Sequence, residues 1–284
     1  MLQYTLMEKL ATEKIKILEK TANNIRKDII EMLVEAGSGH TAGALGMADV
    51  FTLLYFHALK HDPKNPLWVN RDRLVLSNGH ICPVLYATMA EAGYFPKDEL
   101  MTLRKFGSRL QGHPDRNFMP WLETSSGPLG SGLSQAVGMA IADRINIGQK
   151  TIYTLLSDGE LDEGNTWEAI MLAHKEKLSN LIVIIDRNNI QISGNTEKVM
   201  PLHDLKDKLK SFNWNTLEVD GHNFEEINNA IINAKNNKNF PSVIIAHTIP
   251  SKGVKAWEND YKWHGKVPTK EEAEMALVEL GASS

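Results

Sequence analysis

Short apolar runs alternate along the chain with longer segments in which apolar residues recur at helical spacing. Short runs that end abruptly at glycine or polar residues are typical of buried strands, and the longer segments are typical of helices packed against them. At least five strands are predicted, at residues 74–76, 151–156, 181–185, 214–219 and 242–246. This alternation predicts an α/β fold, a doubly wound parallel sheet with helices on both faces.

The predicted helices lie between these strands and at both ends of the chain. They span residues 6–36 (one helix or two consecutive ones), 47–59, 81–92, 99–106, 133–146, 167–178, 204–210, 224–236 and 271–280. No linker, internal repeat or shift in composition interrupts the alternation. We therefore predict a single domain over residues 1–284, with an N-terminal helical arm at about residues 1–36 and a C-terminal tail.

Two polar turns follow neighbouring strands in the middle of the chain. Asp158 comes directly after the strand at 151–156, and Asn188 comes shortly after the strand at 181–185. Because a helix connects these strands, they form a βαβ unit, and its parallel strands end at the same edge of the sheet. Ligands of such sheets bind at that edge.

The polar groups at this edge suggest a metal and a phosphate. One carboxylate, one amide oxygen and a nearby backbone carbonyl suit Mg²⁺ or Ca²⁺ only if a ligand phosphate completes the coordination shell. Gly159 would let the backbone approach such a phosphate closely. Aspartate, glycine and asparagine are also common in turns, so on spacing alone ordinary turn chemistry is the simpler interpretation.

Four histidines lie in loops that contain glycine: His40, His80, His113 and His264. One such histidine is ordinarily just an exposed side chain, but four are too many to assign to packing. The chain lacks the Cys/His spacing of a zinc site. Another loop, residues 124–132, carries three glycines before a predicted helix. It fits phosphate binding or close backbone packing equally well, and it matches neither the P-loop nor the G-x-G-x-x-G pattern.

Composition narrows the partners and the compartment. The 284 residues carry a formal net charge of −4, which offers no basic face for nucleic acid. No apolar run approaches the roughly 20 residues that span a bilayer, so no membrane partner is expected. Acidic residues throughout the first 36 positions argue against a signal or transit peptide. The one cysteine, Cys82, cannot form an internal disulfide, and we interpret it as buried packing in a reducing, cytoplasmic protein.

These motifs together resemble one family, the transketolases, which use thiamine diphosphate to interconvert pentose phosphates. The resemblance is to the N-terminal, pyrophosphate-binding half and runs from about residue 20 to about residue 270. The motifs that carry it are Leu74-Val-Leu-Ser-Asn-Gly-His80, Gly107-Ser-Arg-Leu-Gln-Gly-His113, Gly127-Pro-Leu-Gly130, Asp158-Gly-Glu with Glu163-Gly, and Ser157-Asp-Gly followed by Asn188. It implies the thiamine diphosphate-binding fold, here its pyrophosphate-binding domain.

By this resemblance the chain holds the diphosphate end of the cofactor and its metal. The implied ligands of Mg²⁺, or of Ca²⁺ or Mn²⁺, are Asp158, Asn188 and the carbonyl oxygen of Ile190. The implied cofactor-binding residues are His80, Gly127, Leu129, Gly159, Glu160, Asn188 and His264. Of these, His80, the Gly159 amide and His264 would contact diphosphate oxygens.

The implied catalytic residues are His40, His113, His264 and Glu163. The three histidines would face the reactive carbon of the cofactor and hydrogen-bond the sugar, since histidine serves as acid, base or donor near neutral pH. Glu163 would lie at a subunit interface near the aminopyrimidine ring. The implied reaction transfers a two-carbon ketol unit from a ketose phosphate such as xylulose 5-phosphate to an aldose phosphate such as ribose 5-phosphate.

The sequence departs from the family pattern at three points. Ser157 stands where the diphosphate motif usually has glycine, and Thr41 follows His40 where the family commonly has His-Pro-Gly. The third departure is length: the pyrimidine-binding domain, its activating glutamate and the arginines that hold the sugar phosphate are absent from these residues. We therefore predict the N-terminal subunit of a split transketolase, which forms an α2β2 heterotetramer with a C-terminal partner chain.

Other thiamine diphosphate enzymes are the nearest alternatives. The α subunit of a 2-oxo acid dehydrogenase also separates the two halves, but it lacks the motifs around His80 and His113. A deoxyxylulose-phosphate synthase-type half is a similar alternative. A non-catalytic, cofactor-binding relative would have no need to retain all four histidines and both metal ligands. A Rossmann-type nucleotide protein is disfavoured because no G-x-G-x-x-G follows the first strand.

Overall fold

The computed structural model describes residues 9–282, in which the strands follow the predicted order. They are β1 (Arg73–Leu76), β2 (Ile152–Ser157), β3 (Leu181–Arg187), β4 (Ile190–Gln191), β5 (Gly194–Asn195), β6 (Asn215–Asp220) and β7 (Ser242–His247). Five of them form a parallel sheet in the order β1-β2-β3-β7-β6. The predicted parallel sheet is thus confirmed.

The helices connect the strands and cover the sheet. They are α1 (Thr12–Ala36), α2 (Ala42–Gly46), α3 (Ala48–Leu53), α4 (Cys82–Glu91), α5 (Ser131–Ile145), α6 (Gly164–Lys175), α7 (Thr196–Val199), α8 (Leu205–Ser211), α9 (Phe224–Asn236) and α10 (Lys270–Ala282). Between residues 9 and 282, no helix is both long enough and apolar enough to cross a membrane.

Two hydrophobic cores lie on opposite faces of the sheet. Every residue of β2 is buried, and its side chains alternate between the two cores as a strand requires. Tyr153 and Leu155 pack with α1, α3, α4 and α9, whereas Ile152 and Leu156 pack with α5 and α6. Helices on both faces explain why the central strands are continuously apolar.

The first helix is shorter than predicted. It begins at Thr12, residues 9–11 are not helical, and residues 6–8 of the prediction lie outside the described part of the chain. Its buried face carries Leu18, Ala22, Ile25 and Ile29 at helical spacing. The helix ends where Gly37 adopts a φ of +64°, a left-handed conformation that glycine accepts without strain.

Two other predicted helices were wrong in form. The helix predicted at 47–59 begins at Ala48, since Met47 separates it from α2, and its second half is a π-helix at Leu54–Ala58. The helix predicted at 99–106 is a 3₁₀ helix at Lys97–Thr102, followed by turns in which Arg104 has a positive φ of 61°. Apolar periodicity identifies the buried face of such segments but does not distinguish one helical hydrogen-bonding pattern from another.

The segment after β3 contains elements that the pattern did not predict. Strand β3 continues through Asp186 and Arg187, so these two residues belong to the sheet and not to the turn. Strands β4 and β5 then form a small antiparallel hairpin, and the single-turn helix α7 follows it. Elements this short are below the length at which hydrophobic periodicity is informative.

Candidate active site at the carboxyl edge of the sheet

A pocket of about 440 Å³ opens at the carboxyl edge of the main sheet. It is lined by residues from seven separate parts of the chain: His40, His80, His113, Gly127, Leu129, Ser157, Gly159, Glu160, Ile190, Gln191, Ile192, Ser193 and His264. All four loop histidines that the sequence singles out therefore meet in one cavity. The parallel arrangement of β1, β2 and β3 explains this convergence, because their ends lie side by side.

Three of the histidines pack their rings against one another. The ring centroids of His40 and His80 are 5.0 Å apart, those of His40 and His264 5.5 Å, and those of His80 and His264 5.2 Å. Burial lowers the pKa of His40 to about 4 and the pKa of His80 well below its ordinary value. Burial also lowers the pKa of His113 and of His264.

Neutral imidazoles suit both binding and proton transfer. A neutral ring donates from one nitrogen and accepts at the other, so the cluster can recognise hydroxyl and carbonyl oxygens of a sugar. The Nδ1 atom of His40 is buried and has no hydrogen-bond partner. Because a buried polar atom without a partner is costly, a ligand atom is the natural partner for it.

Thr41 explains how the loop that carries His40 is held. Its hydroxyl donates a hydrogen bond of 2.6 Å to the carbonyl oxygen of Lys266, two residues after His264. The bond ties together the loops that carry two of the histidines. Ser157, the other departure from the family pattern, lies in β2 opposite Asp186 and has no positive φ. Glycine is therefore not required at that position.

Asp158 is fully buried at the end of β2, behind the pocket. Its Oδ1 accepts a hydrogen bond of 2.8 Å from the Gly159 amide, and its Oδ2 accepts one of 2.7 Å from the Asn189 amide. Arg187 forms an ion pair with the same Oδ2 at 3.1 Å. Burial raises the pKa of Asp158 to about 6 in spite of this ion pair.

Asn188 is held by a second buried carboxyl group that the sequence analysis missed. Its Nδ2 donates a hydrogen bond of 2.8 Å to Asp186, which also accepts one from the Thr248 hydroxyl. Burial raises the pKa of Asp186 to about 7. The amide is therefore oriented so that its Oδ1, which accepts a bond of 3.0 Å from the Ile190 amide, can face a ligand.

The donor set fits a divalent metal only in company with a phosphate ligand. Within residues 9–282, no group of three or more His, Cys, Asp or Glu side chains could hold a metal ion. What the edge of the sheet offers is one carboxylate oxygen, one amide oxygen and the backbone of Ile190. Such a sparse set of oxygen ligands suits Mg²⁺ when diphosphate oxygens supply the remaining positions.

Glu160 lines the pocket, but its carboxylate bonds to the pocket wall. Its Oε1 accepts hydrogen bonds from the Ser77 hydroxyl and, at 2.6 Å, from the Gly130 amide. Its Oε2 accepts one of 3.2 Å from the Ser157 amide. These bonds join the end of β1, the end of β2 and the glycine-rich loop before α5. The cofactor contact expected of Glu160 stays a prediction, and its evident role is to hold these three segments together.

Replacing Glu160 by glutamine should lower the free energy of unfolding by about 2 kcal/mol, as expected when a buried charged acceptor loses a partner. If the glutamine oxygen still accepts the hydrogen bonds from Ser77 and Gly130, the NH₂ group of the glutamine faces the N–H of Ser157. Two donors then face each other and one hydrogen bond is lost. Urea unfolding of Glu160→Gln measures this. The matched control is Glu163→Gln, whose exposed side chain predicts a change within about 0.5 kcal/mol. Equal losses in the two variants would contradict the assignment.

Glu163 lies outside the pocket. It is exposed and precedes the first residue of α6, and no hydrogen bond of its side chain caps that helix. Its expected place at a subunit interface stays a prediction. Gln191, Ile192 and Ser193, by contrast, line the pocket without having been predicted to do so. The rule that ligands bind beyond the carboxyl ends of strands could have identified them, since they lie a few residues after the end of β3.

Comparisons with known proteins agree with this geometry. The family model described as transketolase, thiamine diphosphate binding domain, matches residues 17–283. The 6-deoxy-6-sulfo-D-fructose transketolase subunit SqwG of Clostridium sp. (strain MSTE9) is 43% identical over 263 residues, which cover 93% of this chain and 96% of that protein. An apulose-4-phosphate transketolase subunit of Phocaeicola vulgatus is 39% identical, with coverage of 94% and 95%.

Solved structures show the same relationship at the level of the fold. The crystal structure of transketolase from Campylobacter jejuni superposes with a TM-score of 0.88 at 37% sequence identity. The match covers 94% of this chain but 43% of that one. The chain thus spans less than half of a full-length transketolase and nearly all of the two subunit relatives.

Proposed function

This chain belongs to the transketolase family, and we propose that it is the N-terminal subunit of a two-chain transketolase that uses thiamine diphosphate and a divalent metal. The observation that carries the proposal is the single pocket that brings the four loop histidines together with Gly159 and Ile190, which are hydrogen-bonded to Asp158 and Asn188. Two subunit relatives whose whole length this chain matches support the two-chain arrangement.

In this proposal the edge of the sheet holds the diphosphate end of the cofactor. Asp158, Asn188 and the carbonyl oxygen of Ile190 would bind Mg²⁺, Ca²⁺ or Mn²⁺, while His80, His264 and the Gly159 amide would contact diphosphate oxygens. Gly159 allows such an approach because it has no side chain. A Cβ atom at this position would come within 3.1 Å of the Gln191 side chain. Gly127 and Leu129, on the glycine-rich loop, would line the cofactor nearer its rings.

Thiamine diphosphate, when bound, supplies the nucleophilic carbon and the electron sink of ketol transfer. The protein supplies position and proton transfer. Neutral His40, His113 and His264 would hydrogen-bond the hydroxyl and carbonyl oxygens of the sugar, and each can accept a proton from a hydroxyl or return one to an alkoxide. The buried, unpaired Nδ1 of His40 gives this cluster an acceptor or donor reserved for a ligand.

The substrates we propose are a ketose phosphate such as xylulose 5-phosphate as donor and an aldose phosphate such as ribose 5-phosphate as acceptor. The two subunit relatives are named for 6-deoxy-6-sulfo-D-fructose and apulose 4-phosphate, which makes ketoses of these kinds the second candidates. The proposed partner is a C-terminal subunit with the pyrimidine-binding domain, in an α2β2 assembly located in the cytoplasm. Residues 1–284 would form one domain of that assembly, with Glu163 at the interface between chains.

Calorimetric titration of the purified chain with thiamine diphosphate tests the cofactor assignment. We expect the chain to bind thiamine diphosphate in the presence of Mg²⁺. With excess chelator the affinity for thiamine diphosphate should be at least about tenfold weaker, because the proposed metal connects the protein ligands to the diphosphate oxygens. Binding of equal strength with and without metal would remove the assigned metal site. No detectable binding under either condition, by the chain or by its complex with the C-terminal subunit, would overturn the proposed function.

A further inference from the structure

Arg187 is a buried guanidinium that bridges two carboxylates at the candidate metal site. Its side chain is 9% exposed. One nitrogen, Nη1, lies 3.1 Å from Oδ2 of Asp158, and the other, Nη2, lies 2.5 Å from Oε1 of Glu197. Neither the sequence motifs nor the proposed chemistry uses this residue. An arginine buried beside an implied metal ligand calls for a physical reason, because it places a positive charge where a divalent cation should bind.

Both partners of Arg187 are themselves fixed by backbone groups. Oδ2 of Asp158 also accepts the Asn189 amide at 2.7 Å, which leaves Oδ1, bonded only to the Gly159 amide, as the oxygen available to a metal. Glu197 accepts hydrogen bonds of 3.1 Å from the Leu202 and His203 amides. The arginine is therefore held between two carboxylates that backbone amides fix in place.

The charge of Arg187 changes what this site can bind. Without the arginine, the Asp158 carboxylate would present a full negative charge to a cation. With it, that charge is partly offset by a guanidinium at ion-pair distance, which is shared with Glu197, in a region where burial weakens solvent screening. A divalent cation then gains little from the protein alone and needs the negative charge of a diphosphate to bind well.

We propose that Arg187 is a positioning and charge-balancing residue that makes metal binding by this chain depend on thiamine diphosphate. It holds Asp158 so that Oδ1 remains available to a metal, and it partly offsets the carboxylate charge, so the metal binds weakly until the diphosphate is present. This inference rests on the proposed function, because it assumes that Asp158 is a metal ligand. By linkage, the factor by which the cofactor tightens metal binding equals the factor by which the metal tightens cofactor binding.

The test is a titration with Mn²⁺ followed by electron paramagnetic resonance of the free ion, with and without thiamine diphosphate. For the wild-type chain we expect weak Mn²⁺ binding that the cofactor tightens by about a hundredfold, at the upper end of typical coupling between two ligands. In Arg187→Gln, binding of Mn²⁺ alone should become about tenfold tighter, since one opposing charge is gone. Arg187→Lys keeps the charge and should retain most of the coupling.

A second variant keeps the test decisive if Arg187→Gln fails to fold. Glu197→Gln removes a negative charge from the other side of Arg187 and should have the opposite effect, weakening the binding of Mn²⁺ alone. Wild-type affinity for Mn²⁺ alone in Arg187→Gln, or in Glu197→Gln where only that variant folds, would overturn the proposal. Failure of the wild-type chain to bind thiamine diphosphate would instead count against the proposed function.

Discussion

Asp158→Asn is expected to weaken Mg²⁺-dependent binding of thiamine diphosphate by about a hundredfold or more, the loss typical when the support of a metal ligand is removed. The reason lies in the contacts of the carboxylate. An asparagine side chain would turn its oxygen towards Arg187 and Asn189, which are both donors to Oδ2 in the wild type. Its NH₂ group would then take the place of Oδ1, and an amide nitrogen does not bind Mg²⁺.

The fold should survive this replacement with reduced stability, because the shape of the side chain and its bonds to Arg187 and Asn189 are kept, while the new NH₂ group faces the Gly159 N–H. Thermal unfolding of the variant in the absence of cofactor and metal checks this point. Asp162→Asn is the matched control: this exposed carboxylate lies four residues along the same turn, outside the buried network of Asp158. Calorimetry should show near wild-type affinity for Asp162→Asn. Undiminished affinity in Asp158→Asn would exclude Asp158 as a ligand.

The purified chain alone is expected to show no ketol transfer, and the C-terminal subunit should raise the rate by about a thousandfold or more, as expected when a site is completed and water is excluded. The structural reason is that an apolar residue of the pocket is open to solvent. Ile192, which lines the pocket, is 74% exposed. The chain also covers only 43% of the Campylobacter jejuni transketolase.

A coupled assay of the two purified subunits, together and apart, measures this effect. The donors to compare are xylulose 5-phosphate, 6-deoxy-6-sulfo-D-fructose and apulose 4-phosphate, with ribose 5-phosphate among the acceptors. A preference among them would assign the substrate. Substantial turnover by this chain without a partner would contradict the two-chain arrangement, and a pair that binds cofactor but transfers no ketol unit from any donor would contradict the proposed activity.

The carboxyl edge of the sheet was the part of the site most accessible to prediction. Asp158 and Asn188 each follow an apolar run, and a helix of recognisable periodicity joins those runs, so their proximity follows from the handedness and direction of a βαβ unit. Spacing alone left ordinary turn chemistry as the simpler interpretation. The four histidine loops, and the family resemblance that they carry, changed that balance, and the pocket now shows all four lining one cavity.

Other features could not be obtained from the pattern of residues. Three examples are the break between α2 and α3 at Met47, the π-helix at Leu54–Ala58 and the hairpin of β4 and β5. They depend on local hydrogen bonds, which the spacing of apolar residues does not reveal. Glu160 looks in sequence like another acidic residue of a cofactor motif. Only its contacts show that both carboxylate oxygens bind the surrounding backbone and Ser77.

The sequence by itself determined the class of fold and the edge where the site lies, because the order of apolar runs and helices is a local property of the chain. It also determined which loops end at that edge, since parallel strands bring their carboxyl ends together. Only the tertiary structure decided how the side chains there are used. Examples are the hydrogen bond from Thr41 to Lys266 and the ion pairs of Arg187 with Asp158 and Glu197. These contacts join side chains from different parts of the fold, and the periodicity of residues along the chain does not predict them.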